Sequence, residues 1–170
     1  MEEKIMKKEV VRGLATWFGL GDFPKAPGTM GTLGAIPLFF MLNSFRLVIA
    51  DVRLYNSFYF LFLTGFFALS IYVSDRCERE IFKEKDPQKV VIDEVLGFMV
   101  TMFLVNPVGY KETLVAVILG FLLFRFFDIT KLGPIDKSQR YGYGVGVVLD
   151  DFLAGVVANF LLITLMTIIF

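Results

Sequence analysis

Histidine is absent from this chain of 170 residues. That removes the imidazole general base and the histidine nucleophile in one stroke. A single cysteine, Cys77, excludes an internal disulfide. The residues after it, E-R-E-I-F-K, form no phosphate loop, so Cys77 is read as structural rather than as a thiol nucleophile. Net charge is zero, with 17 basic against 17 acidic residues, and nothing in that balance points to nucleic acid. The first fifteen residues are charged and lack an apolar core, so no cleavable signal peptide is expected. Low-complexity tracts, internal repeats and the phosphate-loop pattern G-x-x-x-x-G-K-[ST] are missing as well.

Apolar residues are abundant instead. They make up 56% of the chain, with twenty phenylalanines, and the mean hydropathy is +0.67. Soluble domains usually hold about 45–50% apolar residues. The composition predicts an all-α, polytopic integral membrane bundle with about four or five transmembrane segments. Apolar stretches run over 31–50, 55–74, 91–106, 113–130 and 145–170. The first contains Pro37, Asn43 and Arg46 and reads as a broken or re-entrant helix. The third and fourth sit near the lower limit for crossing. The chain has room for one membrane-embedded catalytic domain over 1–170, with 1–22 as a cytoplasmic N-terminal segment.

Charge bias sets the expected orientation. With alternating spans and the N-terminus inside, thirteen cations fall inside: Lys4, Lys7, Lys8, Arg12, Lys25, Arg76, Arg79, Lys83, Lys85, Lys89, Lys131, Lys137 and Arg140. Only Arg46, Arg53 and Lys111 fall outside, a strong positive-inside signal.

Five acids lie inside or at the rim of apolar segments: Asp93, Glu94, Asp128, Asp150 and Asp151. A carboxylate in hydrocarbon costs roughly 2.5–3.5 kcal/mol even on lenient scales, so it normally has a partner or a task. In the expected orientation all five converge at one depth on the cytoplasmic rim. Carboxylates from several helices suit a hard divalent ion, and Mg2+ fits better than a transition metal where no histidine is present. The bland alternative makes them helix caps and interfacial charges. Gly97 shares a face with Asp93, and Gly155 and Asn159 share one with Asp151, so neighbouring helices could approach closely there. Arg125 stands one turn before Asp128 and could simply neutralise it. Lys131 follows at the same helix end, however, and the surplus cations match an anionic phosphate. Residues 23–34, F-P-K-A-P-G-T-M-G-T-L-G, could offer backbone N–H groups and hydroxyls to an anion, with Lys25, Thr29 and Thr32 as contacts. A plain membrane-entry turn explains them equally well. The second glycine run, Y-G-Y-G-V-G before Asp150, is either a flexible link or an anion nest.

Four stretches occur in order: A-P-G-T-M-G-T-L, V-V-I-D-E-V-L-G-F, F-R-F-F-D-I-T-K-L-G-P-I-D and G-V-G-V-V-L-D-D-F-L-A-G-V. Together, across residues 13–160, they closely resemble phosphatidylglycerophosphatase A, a bacterial membrane lipid phosphatase. One departure is Lys131-Leu132, where that family commonly has Lys-Pro. The resemblance implies Mg2+-dependent hydrolysis of phosphatidylglycerophosphate to phosphatidylglycerol, within phospholipid biosynthesis at the cytoplasmic face of the bacterial inner membrane. Its substrate would be an anionic phospholipid held in the bilayer. Asp93, Glu94, Asp150 and Asp151 would then supply most metal ligands, with Asp128 a ligand or the orienter of Arg125. Arg125 and Lys131 would clamp the phosphate, with Lys25, Thr29 and Thr32 adding substrate contacts. Either water or an aspartate could be the nucleophile. The apolar helices are compatible with a homodimer, though no motif selects an interface.

Two rivals were weighed. A CDP-alcohol phosphotransferase needs D-x-x-D-G-x-x-A-R, and no arginine follows Asp150-Asp151. A small cation transporter or channel would need polar residues continuing across the membrane, whereas 55–74 and 152–170 are overwhelmingly apolar.

Overall fold

The computed structural model describes residues 2–131 and 144–170. Six α-helices make up the regular structure there: α1 (Glu2–Ala15), α2 (Pro27–Ser44), α3 (Val52–Arg76), α4 (Ile92–Thr101), α5 (Gly109–Thr130) and α6 (Val145–Ile169). Four stretches, Pro27–Leu47, Val52–Ile81, Gly109–Thr130 and Val145–Ile169, are long and apolar enough to cross a membrane. At 1.5 Å per residue the 22-residue α5 covers roughly 33 Å, against about 30 Å of hydrocarbon. The fold is the all-α membrane bundle that the composition predicts. Its outer face is as apolar as its core: Leu61, Ile118 and Phe160 all stand more than half exposed, as a lipid-covered surface requires.

Local signals account for the helix ends. Asp51 caps α3 by accepting hydrogen bonds from the backbone N–H groups of Arg53 (2.7 Å) and Leu54 (3.1 Å). Helix α2 starts with Pro27 in its first turn, where a missing N–H costs nothing. Helix α5 stops at Lys131, whose φ of 45° turns the chain out of the helix.

Two expectations about the spans need correction. Within residues 31–50 the helix is not broken at Pro37: α2 runs through it to Ser44, and a short 3-10 turn, Phe45–Leu47, then leads toward α3. The Trp17 indole donates to the Gly34 carbonyl at 3.0 Å, next to the turn that Pro37 leaves short of a donor. Conversely, residues 91–106 are not one helical span. Helix α4 has only 10 residues, about 15 Å, and is buried on nearly every side. The chain beyond it is irregular, with left-handed backbone at Leu104 and Asn106.

Irregular backbone at membrane depth survives only where protein satisfies it. Here the Asn159 amide donates to the carbonyls of Thr101 (2.8 Å) and Phe103 (2.5 Å). The Tyr59 hydroxyl donates to Met99 O at 3.0 Å, and Arg46 donates to Asn106 O at 2.9 Å.

Helices α4 and α6 touch backbone to backbone. A Cβ on Gly155 would collide with the Gly97 carbonyl, and one on Gly97 would lie 2.8 Å from the Asp151 carbonyl and inside the Phe124 ring. The glycines expected to allow close approach therefore mark the helix crossing, one turn below the acids. The end of α1 packs onto the bundle. Val11 and Ala15 are buried, and Ala15 O accepts the Val91 N–H at 2.8 Å just before α4.

Replacing Asn159 with Ala leaves the Thr101 and Phe103 carbonyls unpaired at membrane depth. The expected cost is about 1–3 kcal/mol, read as a lower denaturation midpoint in detergent. Thr164→Ala, on the exposed face of the same helix, should leave the midpoint unchanged.

Candidate active site

The five acids enter one cavity of about 420 Å3 from three helices. Asp93 and Glu94 occupy the first turn of α4, where the helix dipole favours negative charge. Asp128 lies in the last turn of α5, and Lys131 caps it. Asp150 and Asp151 lie in the second turn of α6. The cavity is also lined by Arg125 and Lys131. Asp93, Asp128, Asp150 and Asp151 are all buried, so this is a desolvated polar site and not a solvated face.

Charge pairing divides the five carboxylates. Asp128 is hydrogen-bonded to Arg125 one turn earlier. Asp150 Oδ2 accepts from Lys131 Nζ at 2.6 Å. Asp93, Glu94 and Asp151 form the third group: one oxygen from each lies within 4.8 Å of the others. Among the described residues, Asp93 Oδ1 and Glu94 Oε2 are buried without a hydrogen-bond partner, as is Arg125 Nε. Unpartnered carboxylate oxygens cost several kcal/mol unless a cation takes them. An all-oxygen set on short, fixed side chains fits a hard divalent cation. For Lys131, burial alone would lower the pKa, but the hydrogen bond it donates to Asp150 and the charges of Asp150, Asp151 and Asp128 raise it overall.

The other expected contacts fall elsewhere. Thr32 is fully buried, and its hydroxyl donates to Gly28 O at 2.9 Å. Neither Lys25 nor Thr29 lines the cavity. Because α2 starts at Pro27, Gly28 is the residue that faces the acids, Thr29 is rotated about 100° away, and Thr32 lies one turn deeper. A Cβ on Gly28 would collide with Glu94 Oε1 and lie 3.1 Å from Arg125 Nη1. The P-G-T-M-G stretch thus contributes a backbone surface where hydroxyls were expected. Asp86 and Gln88 also line the cavity; the sequence does not single them out, because nothing local marks a loop residue that tertiary packing turns inward. Residues 132–143, with the Leu132 departure and the first half of the second glycine run, lie outside the described residues.

Sequence comparison agrees with the geometry. The family model described as phosphatidylglycerophosphatase A matches residues 13–166. The chain belongs to the phosphatidylglycerophosphatase A family. A Bacteroides thetaiotaomicron protein named "Putative phosphatidylinositol-3-phosphatase" is 37% identical over 149 residues, covering 84% of this chain and 85% of the relative. The Escherichia coli phosphatidylglycerophosphatase A is 30% identical over 146 residues, 85% of this chain and 77% of that protein. The Haemophilus influenzae protein of the same name is 29% identical over 157 residues, 92% and 88% of the two chains. No solved structure matches significantly. Family membership makes the chain a membrane phosphatase.

Gly28→Ala should displace Glu94 and Arg125 while leaving the lipid-facing surface intact. A fall in kcat on the order of 10²-fold is expected, with a normal elution profile in detergent; full phosphatase activity would show that Gly28 does not border the reacting centre.

Proposed function

We propose that the protein hydrolyses phosphatidylglycerophosphate to phosphatidylglycerol and phosphate, with Mg2+, at the cytoplasmic face of a bacterial inner membrane. The observation that carries this reading is the cluster of Asp93, Glu94 and Asp151, with oxygens within 4.8 Å, in the same cavity as Arg125 and Lys131. Such a site pairs carboxylates for a cation with cations for a phosphate.

Asp93, Glu94 and Asp151 would hold the Mg2+, which when bound offsets charge on the transferring phosphoryl group. Arg125 is oriented by its ion pair with Asp128, leaving Nε as a donor for a phosphate oxygen. Lys131, held against Asp150, places an ammonium group where the departing glycerol oxygen needs a proton. An ionised carboxylate of the cluster aligns the attacking water. The acyl chains stay in the bilayer beside α2 and α5, whose ends border the cavity.

A second lipid phosphomonoester, phosphatidylinositol 3-phosphate, is suggested by the name of the Bacteroides relative. It offers the same phosphate on a different alcohol. Conduction of cations finds less support. Beyond the acids the bundle interior is closed by Phe98, Met99, Phe124, Ala158 and Leu162, each with no exposure.

Purified protein in detergent should release phosphate from phosphatidylglycerophosphate with Mg2+ and not with EDTA, and faster than from phosphatidylinositol 3-phosphate. Asp93→Ala should insert and fold but lose at least about 10²-fold in kcat; near-normal turnover would remove Asp93 from the site. For orientation, Cys77 is buried, so a cysteine placed at exposed Lys25 reports sidedness. A membrane-impermeant maleimide should label it in inverted inner-membrane vesicles and not in intact cells.

A further inference from the structure

One buried carboxylate lies outside the cavity and touches both chain segments that lead into it. Glu78 is 2% exposed and sits where the end of α3 widens into a π turn at Cys77–Ile81, a distortion frequent near functional sites. Its two oxygens are separately engaged. Oε1 accepts the Asp86 backbone N–H at 2.9 Å, and Oε2 accepts the Gly144 N–H at 2.7 Å. Its flanking arginines are spent elsewhere: Arg76 pairs with Glu80 at 2.7 Å and Arg79 with Asp75 at 2.8 Å.

Both amides stand at strained, tightly fitted points. Asp86 has a φ of 54°, a conformation side chains rarely adopt. Gly144 has a φ of 63° and no room for a side chain, since a Cβ would lie 2.6 Å from the Asp75 nitrogen. Gly144 also precedes the first turn of α6, so its N–H belongs to the set that a helix cannot satisfy internally. From Asp86 the chain runs through Gln88 and Val90 along the cavity wall to Asp93 and Glu94. From Gly144 it runs through Val147 to Asp150 and Asp151. A single charged group therefore ties the lead-in of α4 to the lead-in of α6.

We propose that Glu78 is a positioning residue for the phosphatase site, a strap that sets the spacing of the α4 carboxylates against those of α6. It touches neither phosphate nor metal and acts through the two amides it holds. Charge-assisted bonds to both N–H groups are stronger and more directional than neutral ones. A misplacement of about 1 Å at the reacting groups costs on the order of 10²-fold in rate. The role rests on the phosphatase reading above, because the spacing matters only if the carboxylates act together.

Glu78→Gln keeps the shape but turns one acceptor into an NH2 that faces an N–H. The variant is compared with the parent for phosphate release from phosphatidylglycerophosphate, for thermal midpoint in detergent, and for hydrogen exchange at the Asp86 and Gly144 amides. The expected result is a kcat per folded molecule lower by roughly 10- to 10²-fold with KM little changed, a midpoint somewhat below the parent's, and faster exchange at both amides. Unchanged kcat per folded molecule overturns the proposal, since a merely structural carboxylate would lower the midpoint and leave turnover intact. Lost turnover with both amides still protected overturns it too. Should Glu78→Gln fail to fold, Glu78→Asp, which keeps the charge but is too short to reach both amides, is judged by the same readouts. If the parent itself releases no phosphate, the phosphatase reading falls, while the exchange measurement still decides whether Glu78 straps the two segments.

Discussion

Burying carboxylates among helices that face lipid is the constraint on which the rest of this structure depends. Asp93, Asp128, Asp150 and Asp151 are each less than one-tenth exposed, inside a bundle whose outer surface is hydrocarbon-like. Isolated charges in that setting would neutralise or drive the helices apart. The fold answers by giving two of the carboxylates a cation each, Arg125 and Lys131. It leaves Asp93, Glu94 and Asp151 as a compact oxygen cluster. Charge that is costly for folding is thereby concentrated in one cavity.

That concentration dictates the shape of α4. A helix bearing two acids in its first turn must lie inside the bundle, and it gets there because Gly97 and Gly155 let α4 and α6 meet without side chains between them. Once central, α4 needs no lipid-spanning length and stops after 10 residues. The unwound chain beyond it is tolerated because Asn159, Tyr59 and Arg46 meet its carbonyls. A polar side chain such as Asn159, on the same face as Asp151, thus serves the backbone below the site and not the site itself.

The cations and the acids also divide the labour along each helix. Helix α5 brings Arg125, Asp128 and Lys131 to one end through their i, i+3, i+6 spacing. Helices α4 and α6 present acids at their starts. Opposed helix directions turn these into one cluster: α5 ends where α4 and α6 begin. The helix dipoles favour the cations that close α5 and the acids that open α4, while Asp128, at the disfavoured end of α5, is held by Arg125.

Membrane class, the long apolar helices and the five acids were legible from the residues alone, since hydropathy and intramembrane charge are local properties that no folding partner can reverse. The pairing of those acids was not legible. Spacing brought Arg125 and Asp128 together because both lie on one helix. Nothing in the chain said that Lys131 would reach Asp150, or that Asp151 would join Asp93 and Glu94. Thr29 and Thr32 looked like phosphate contacts, yet the start of α2 at Pro27 rotated Gly28 into that position instead. Glu78 stands among several charges after Cys77 with nothing local to single it out, and packing buries it between two amides from other segments. Composition and periodicity determine which residues must leave water. Which of them meet is decided by the crossing of helices, because a contact between segments 66 residues apart is set by geometry that no local pattern encodes.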